Sequence, residues 1–177
     1  KANVTVLERN RPDDTFGWGV VLSDQTVANL RDADPESGAR ITSAIHRWDD
    51  IDVRFAGHSM RSGGHGFSGV GRKHLLAILQ QRCRELGVVL RFENELHPDQ
   101  LEAVAAEAQA DLVIVSDGIR SMVRERFAEH FRPDIDLRRC RYVWLGTPRR
   151  FDAFTFAFQE TAHGWFQAHA YQFDGAD

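Results

Sequence analysis

Cysteine is scarce in this sequence, with two residues among 177. Cys83 falls on the apolar side of a predicted helix, which leaves only Cys140 as a partner for it. Small extracellular domains usually compensate for a limited core with several disulfides. The sequence therefore predicts a protein of a reducing compartment, the cytoplasm, without a disulfide framework.

Long apolar runs and a strong net charge are missing as well. No stretch of about eighteen apolar residues occurs, and no charged segment leads into an apolar one, so we expect neither a membrane span nor a signal peptide. A formal net charge of -4 gives no reason to expect binding to nucleic acid or an anionic membrane. An apolar content of 42% is sufficient for a hydrophobic core, so the chain is predicted to be globular. The composition does not exclude binding of small molecules.

Metal-binding and phosphate-loop patterns are not found either. The eight histidines show no H-x-x-x-H spacing with a nearby Cys or Glu pair, so no metal site is expected. The segment "GGHGF" around His65 is rich in glycine but lacks the Lys-Ser/Thr pair of a phosphate loop. We find no internal repeat and no low-complexity tract, and no residue is assigned a catalytic role from its type and spacing.

The first third of the chain predicts short elements separated by loops. The run "VTVLERN" is typical of a buried parallel strand that ends at Glu8, and the aromatic stretch "RNRPDDTFGWGV" predicts a loop. Ser23 or Asp24 is a candidate cap for a short helix, and "DADPESGA" predicts a surface turn. "IDVRFAG" and "HSMRSG" alternate apolar and polar residues and predict a hairpin joined at Gly57.

The remainder predicts a β-α-β rhythm followed by aromatic strands. Leucines at steps of three and four predict a helix from Arg72 to Leu86, ended by Gly87 and followed by the strand "VVLRF". A second helix is predicted near Pro98, before the apolar strand "DLVIV". Beyond Tyr142, the segments "YVWLGT", "AFTFAFQE" and "GWFQAHAYQF" predict an antiparallel sheet.

Two places in this pattern are candidates for binding chemistry. In a dinucleotide-binding sheet, an acidic residue at a strand end, here Glu8, accepts hydrogen bonds from ribose hydroxyls. The strand "DLVIV" leads into Asp117-Gly118, with Ser121 and Arg124 at the head of a helix, where ligands bind in parallel sheets. The alternatives are a surface carboxylate at Glu8 and a helix cap at Asp117.

Several segments together resemble one family. Glu8-Arg9, "GRKHLLAIL", "FENEL" and "DLVIVSDGIRSMVR" occur in the order and spacing of flavoprotein aromatic hydroxylases of the p-hydroxybenzoate hydroxylase type. "ERNRPDDTFGWGVVLSDQT", "HRWDDIDV" and "FDAFTFAFQET" are similar to the members that act on 2-aminobenzoyl-CoA and salicylyl-CoA. The resemblance covers nearly the whole chain.

The resemblance implies an α/β fold and an interior fragment of a longer enzyme. Residues 1–141 would form a partial Rossmann-like FAD-binding domain, without its first strand and helix and with a small hairpin insert near 50–70. Residues 142–177 would begin an antiparallel substrate-domain sheet. The G-x-G-x-x-G turn and a later Gly-Asp segment of the family do not occur in this sequence, so we expect the isolated fragment to be inactive.

The resemblance also implies cofactors and roles for individual residues. FAD would be bound, reduced by NADH or NADPH, and would react with molecular oxygen to form a flavin hydroperoxide that hydroxylates an aromatic CoA thioester. Glu8 would bind the adenosine ribose, Arg9 and Leu96 would lie near the adenine, and Arg72 would contact the dinucleotide. Asp117 and Gly118 would serve the flavin and the pyridine nucleotide.

Aromatic side chains are candidates for the wall of a substrate cavity, although such residues are more often only core. The candidates are Phe16, Gly17 and Trp18 in the loop and Phe154, Phe156, Trp165 and His169 in the strands. The basic residues at 138–141, 149 and 150 are interpreted as a solvated face, with CoA phosphates as the alternative.

Two rival functions stay open at this point. One is another FAD-dependent oxidoreductase that acts on a free aromatic or polyketide substrate. The other is a binding module that retained the sheet and lost the cofactor. The sequence leaves a homo-oligomer open and does not decide between NADH and NADPH.

Overall fold

The computed structural model describes residues 2–173 and shows a mixed α/β architecture. Its strands are β1 (Thr5–Leu7), β2 (Gly19–Ser23), β3 (His46–Trp48), β4 (Ile51–Phe55), β5 (His58–Ser62), β6 (Phe67–Gly71), β7 (Val89–Arg91), β8 (Phe154–Thr161) and β9 (Gly164–Ala170). Its helices are α1 (Asp24–Ala33), α2 (Pro35–Ala44), α3 (Arg72–Glu85), α4 (Leu101–Glu107), α5 (Met122–Arg126) and α6 (Ala128–Phe131), with a 3-10 turn at Pro98–Gln100. None of the helices within this range is long and apolar enough to cross a membrane.

The described residues divide into two compact units. The larger unit contains residues 2–4, 13–89 and 143–173, and the smaller unit contains residues 5–12 and 90–142. The predicted domains, residues 1–141 and 142–177, stay a prediction. Residue 1 of the first and residues 174–177 of the second lie outside the described residues.

The core of the larger unit lies between helices and a three-stranded sheet of order β2-β6-β3. Both β2 and β3 pair antiparallel with β6. Helix α1 contacts β2, α3 contacts β6, and α2 packs with both helices. Ile41 of α2 and Val70 of β6 are completely buried, and Val27 and Ile78 add to the same core.

A second sheet of the larger unit has the order β5-β4-β8-β9. The predicted hairpin is confirmed, because β4 and β5 pair antiparallel and Gly57 closes their turn with a φ of +79°. The predicted antiparallel pairing is confirmed for β8 and β9. Strand β8 also pairs with β4 in parallel, which makes the sheet mixed and requires the long connection between them.

Aromatic side chains gather on one face of this mixed sheet. Directly paired residues point to the same face, so the row Val53, Phe156 and His169 shares it. Phe154 packs against Phe156 with ring centroids 4.5 Å apart. At the far end of the face, Phe55 stacks on Trp165 at 5.8 Å, although half or more of each side chain is exposed.

The surface turn predicted at "DADPESGA" is wrong, because most of this segment belongs to α2. The Asp34 side chain accepts a hydrogen bond from the Ser37 N–H, and Pro35 occupies the first turn, where its missing N–H is tolerated. Ile41 then anchors the helix in the core. The Pro, Gly and Asp residues that suggest a turn are here the start of a helix.

The strands predicted at "DLVIV" and "YVWLGT" are also wrong for the described residues. Both segments have irregular backbone, and the side chains of Leu112 and Ile114 are 76% and 80% exposed. A strand requires a neighbour to accept and donate its backbone hydrogen bonds, and no described strand pairs with either segment. An apolar run has the side chains that suit a buried strand, but it does not show whether a neighbouring strand is present to pair with it.

The helices predicted from Arg72 to Leu86 and near Pro98 are confirmed with adjusted bounds. Helix α3 spans Arg72–Glu85 with Leu86 as its C-cap, and Gly87 follows with a φ of +81°. Ile78 is its buried residue, whereas Leu79 and Leu86 are 38% and 44% exposed. The second helix begins as the 3-10 turn at Pro98–Gln100 and continues as α4.

The smaller unit is built around the pairing of β1 with β7. The Glu8 N–H donates to the Arg91 carbonyl at 2.9 Å, at the end of both strands. Helices α4, α5 and α6 and a long irregular stretch complete this unit. Cys140 in that stretch is exposed, and Cys83 in α3 is half-buried, and both are free thiols.

Candidate functional site

Glu8 lies directly after β1, and a neighbour in sequence orients its carboxylate. The backbone N–H and the side-chain amide of Asn10 both donate to Glu8 Oε1, at 2.8 and 2.7 Å. The Asn94 N–H donates to the Glu8 carbonyl at 2.9 Å, which ties the strand end to the chain after β7. Glu8 therefore has a fixed orientation, and its second oxygen receives no hydrogen bond from the described residues.

Arg9 and Leu96 belong to the same unit as Glu8, Arg9 as the next residue in sequence and Leu96 in the segment after β7. Arg9 is exposed, and Leu96 is half-buried in the irregular segment between β7 and the 3-10 turn. Glu93, in the same segment, donates its N–H to the Asn10 carbonyl at 3.1 Å. The segments that follow β1 and β7 are thus joined by backbone hydrogen bonds on either side of Glu8.

Asp117 and Gly118 lie in the exposed stretch that precedes α5. Gly118 has a φ of +87°, a conformation that favours glycine, and its carbonyl accepts the Ser121 N–H at 3.2 Å. Ser121 caps α5, because its hydroxyl accepts the Arg124 N–H at 3.0 Å. The helix cap is therefore Ser121, and Asp117 does not have the capping role that was the alternative for it.

Arg72 is the first residue of α3 and is bound on two sides. Its backbone N–H donates to the Trp18 carbonyl at 2.9 Å, and its Nε donates to the Gly19 carbonyl at 3.0 Å. Its Cζ lies 5.8 Å from the centroid of the Trp144 ring. The arginine predicted to contact a dinucleotide is therefore held by the aromatic loop and by a tryptophan.

The aromatic loop, residues 9–20, packs against the segment around Trp144, and a glycine of each segment contacts a tryptophan of the other. A Cβ on Gly17, whose φ is +74°, would lie 3.2 Å from the Trp144 ring. A Cβ on Gly146 would lie 3.3 Å from the Trp18 ring. Each tryptophan ring thus lies against the backbone of a glycine in the other segment. A larger residue in place of either glycine would crowd the ring.

The loop candidates Phe16 and Trp18 are largely exposed, at 67% and 58%. His169, the strand candidate, is exposed on the aromatic face of the mixed sheet, where its ring meets Phe156 edge-on at 4.6 Å. Its Nε2 lies 2.6 Å from the Gln167 side-chain nitrogen. Tyr171 follows on the chain, and its partial burial raises the pKa of its hydroxyl.

The structure brings together some of the predicted residues and adds one that sequence reasoning missed. Trp18 and Arg72 meet in the larger unit, and Trp144 joins them. Trp144 lies in the segment predicted as a strand, and no pattern in the sequence connects it to Arg72, 72 residues earlier. Its only signal was a tryptophan two residues before a glycine, in a chain with few tryptophans.

Three curated proteins are similar to the chain over almost its whole length. Salicyloyl-CoA 5-hydroxylase from Streptomyces sp is 44% identical over 171 residues, which are 96% of this chain and 32% of that protein. The chain is homologous to aromatic monooxygenases. The 3-hydroxy-4-methyl-anthranilyl-[aryl-carrier protein] 5-monooxygenase of Streptosporangium sibiricum is 33% identical over 170 residues, 96% of this chain and 46% of the relative. Protodeoxyviolaceinate monooxygenase of Chromobacterium violaceum is 30% identical over 174 residues, 96% of this chain and 45% of the relative.

The chain spans 32% to 46% of the length of these relatives. No protein-family model matches it. Among solved structures, a mutant and the tetrameric form of 2-methyl-3-hydroxypyridine-5-carboxylic acid oxygenase align with 54% of this chain and 27% of their own, at 20% identity. The TM-scores are 0.47 and 0.46.

Proposed function

We propose that the chain is part of an FAD-dependent monooxygenase that uses NADH or NADPH to hydroxylate an aromatic ring carried as a CoA thioester. The observation that carries the proposal is the 44% identity with salicyloyl-CoA 5-hydroxylase over 171 residues. The name of a second relative describes an anthranilyl group on an aryl-carrier protein. Two of the three relatives are thus named for aromatic acyl groups attached to a carrier.

The reaction of such an enzyme inserts one oxygen atom of O₂ into a ring C–H bond and releases the other as water. Two electrons and a proton come from NAD(P)H, and a second proton comes from solvent. A bound flavin supplies the redox chemistry that joins these two half-reactions. The protein supplies binding, orientation of the ring and exclusion of water from the reacting atoms.

Each unit, taken by itself, carries groups of the kind that bind a dinucleotide. Glu8 ends β1 with one carboxylate oxygen held by Asn10 and the other open to the hydroxyls of a ribose. Arg72 offers a guanidinium whose Nε is already bonded to Gly19, so that its terminal amino groups are available for phosphate oxygens. In this proposal Arg9 and Leu96 lie near the adenine, and Asp117 and Gly118 serve the flavin.

The substrate ring is proposed to lie against aromatic side chains of the larger unit. Phe16 and Trp18 carry large exposed aromatic surfaces in the loop, and His169 carries one on the mixed sheet. Such side chains bury an aromatic ring well because they provide a large apolar area with few rotatable bonds.

The test is turnover by the full-length protein. It is purified, its flavin is identified by absorbance and chromatography, and NADH or NADPH oxidation is followed with salicyloyl-CoA and with 2-aminobenzoyl-CoA. We expect bound FAD and substrate-dependent formation of a product 16 mass units heavier, the mass of one oxygen atom, labelled when ¹⁸O₂ is supplied. A protein that binds no flavin would contradict the proposal and favour a binding module.

A second candidate is a monooxygenase that acts on a free aromatic substrate. The observation in its favour is the 30% identity with protodeoxyviolaceinate monooxygenase, whose name contains no carrier group. The free acids salicylate and 2-aminobenzoate, assayed beside their CoA thioesters, separate the two candidates. Turnover of the free acids alone would select the second.

A further inference from the structure

Trp144 and Arg72 form a cation–π contact in the larger unit. The guanidinium carbon lies 5.8 Å from the centroid of the indole ring, within the range in which the ring quadrupole attracts a cation. The two residues are 72 positions apart in the sequence, so the contact depends on the tertiary structure. Arg72 starts α3, whereas Trp144 lies in irregular chain before β8.

The indole ring also lies against the aromatic loop. Gly17 lies against it so closely that a Cβ would come within 3.2 Å of the ring. Trp18 packs on Gly146 in the same way, which joins the two segments at a second point. The two glycine contacts join the segment around Trp144 to the aromatic loop, and the hydrogen bond from the Arg72 N–H to the Trp18 carbonyl joins that loop to the start of α3.

The guanidinium itself is hydrogen-bonded along the edge that carries Nε. Its Nε donates to the Gly19 carbonyl at 3.0 Å, and the Arg72 backbone N–H donates to the Trp18 carbonyl. Among the described residues, no hydrogen-bond acceptor lies on its Nη1 or Nη2 groups. The guanidinium group is planar, so fixing one edge and covering one face also fixes the plane in which its remaining N–H groups can donate.

We propose that Trp144 is a positioning residue for Arg72, which it holds in the plane needed to donate two hydrogen bonds to a phosphate of a bound dinucleotide. This inference rests on the proposed function, because it takes FAD as that dinucleotide. Trp144 acts through Arg72 and does not itself contact the phosphate. A side chain without an aromatic face leaves the arginine charged and bonded to Gly19, but removes the ring that covers one face of the guanidinium.

The test measures the affinity of the full-length protein, stripped of flavin, for added FAD by quenching of flavin fluorescence. We expect Trp144→Leu to raise the Kd for FAD about three- to ten-fold, whereas Trp144→Phe stays within about two-fold. In an Arg72→Met background, Trp144→Leu should change the Kd no further, because the residue through which it acts is gone. Trp144→Met also lacks a ring, and its flexible side chain adapts to irregular space, so it replaces the leucine variant if that one does not fold.

Phe55→Leu is the matched control. Phe55 belongs to the same unit and is 50% exposed, against 49% for Trp144, but it lies in β4 and its ring stacks on that of Trp165. Its substitution should leave the Kd unchanged. An unchanged Kd in Trp144→Leu, or an equal loss in the presence and absence of Arg72, would overturn the positioning role. Failure of the unaltered protein to bind FAD would instead overturn the proposed function.

Discussion

Two glycines of the sheet β2-β6-β3 make room for the chain that follows β9. A Cβ on Gly69 would lie 2.4 Å from the Gln172 carbonyl oxygen and 2.5 Å from the Trp48 ring. A Cβ on Gly19 would lie 2.5 Å from the Cβ of Phe173. Real side chains do not approach this closely, so both positions require hydrogen in place of a methyl group.

Gly69→Ala should therefore destabilise the protein through steric overlap with the backbone of Gln172. We expect a loss of about 1–3 kcal/mol in the free energy of unfolding, measured by urea denaturation. The control is Gly71→Ala, two residues further on the same strand, where the nearest atom to an added Cβ is 3.8 Å away. Equal effects of the two substitutions would contradict the steric explanation.

The strands of the mixed sheet are connected by one arginine as well as by backbone hydrogen bonds. Arg61 on β5 donates to both carboxylate oxygens of Asp52 on β4, at 2.6 and 2.8 Å. It also reaches Asp152, just before β8, at 3.3 Å. Asp52 is only 5% exposed, so its charge depends on this pairing.

Stability should therefore fall in acid, partly through Asp52. The hydrogen bond from Arg61 lowers the pKa of Asp52 below its ordinary value of 3.8 and outweighs burial, which acts in the opposite direction. A carboxyl with a lowered folded-state pKa contributes stability above the unfolded value and loses it as the pH falls toward the folded one. We expect Asp52→Asn to flatten the dependence of the urea midpoint on pH between about 5 and 2. Parallel curves for the variant and the parent protein would exclude this role.

The junction of α2 and α3 rests on Asp34, which has two functions. It caps α2 through the Ser37 N–H at 3.0 Å, and its two oxygens accept hydrogen bonds from Arg82 at 2.8 and 2.9 Å. The hydrogen bonds from Arg82 and then from Ser37 hold the pKa of Asp34 well below its ordinary range. The same carboxylate thus starts one helix and attaches it to another.

Substitutions at Asp34 should separate these two functions. Asp34→Asn keeps a capping oxygen and loses the ion pair, whereas Asp34→Ala loses both. We expect the urea midpoint to fall in the order parent, asparagine, alanine, with Arg82→Met close to the asparagine variant. An alanine variant as stable as the asparagine variant would mean that the cap contributes nothing.

Over the whole molecule, protection from hydrogen exchange should follow strand pairing more closely than apolar content. Strand β4 has neighbours on both sides, whereas residues 112–118 are irregular despite their apolar side chains. We expect amides of β4 and β8 to exchange slowest, and those of residues 112–116 to exchange within about ten-fold of an unstructured peptide. Strong protection of residues 112–116, measured by mass spectrometry on peptides, would show that this segment does pair.

Elements with a local signal were predictable from the sequence, and those that depend on a partner were not. The cap at Ser23, the helix start at Arg72 and the turn at Gly57 follow from the preferences of single residues. The segment at 34–39 was misjudged because Pro and Gly signal a turn and a helix start equally well. The role proposed for Trp144 depends on a residue far away in sequence, so nothing local indicates it.

The amino-acid sequence alone was sufficient for the mixed α/β character, the hairpin and the homology to aromatic monooxygenases, because residue preferences and the order of segments along the chain are local or linear properties. Tertiary structure decided that β8 pairs in parallel with β4, that "DLVIV" has no strand partner within residues 2–173 and that Arg72 meets Trp144. Each of these depends on which segments meet across long stretches of chain. Strand pairing and cation–π contacts form between such segments, and the periodicity of one segment does not identify its partner.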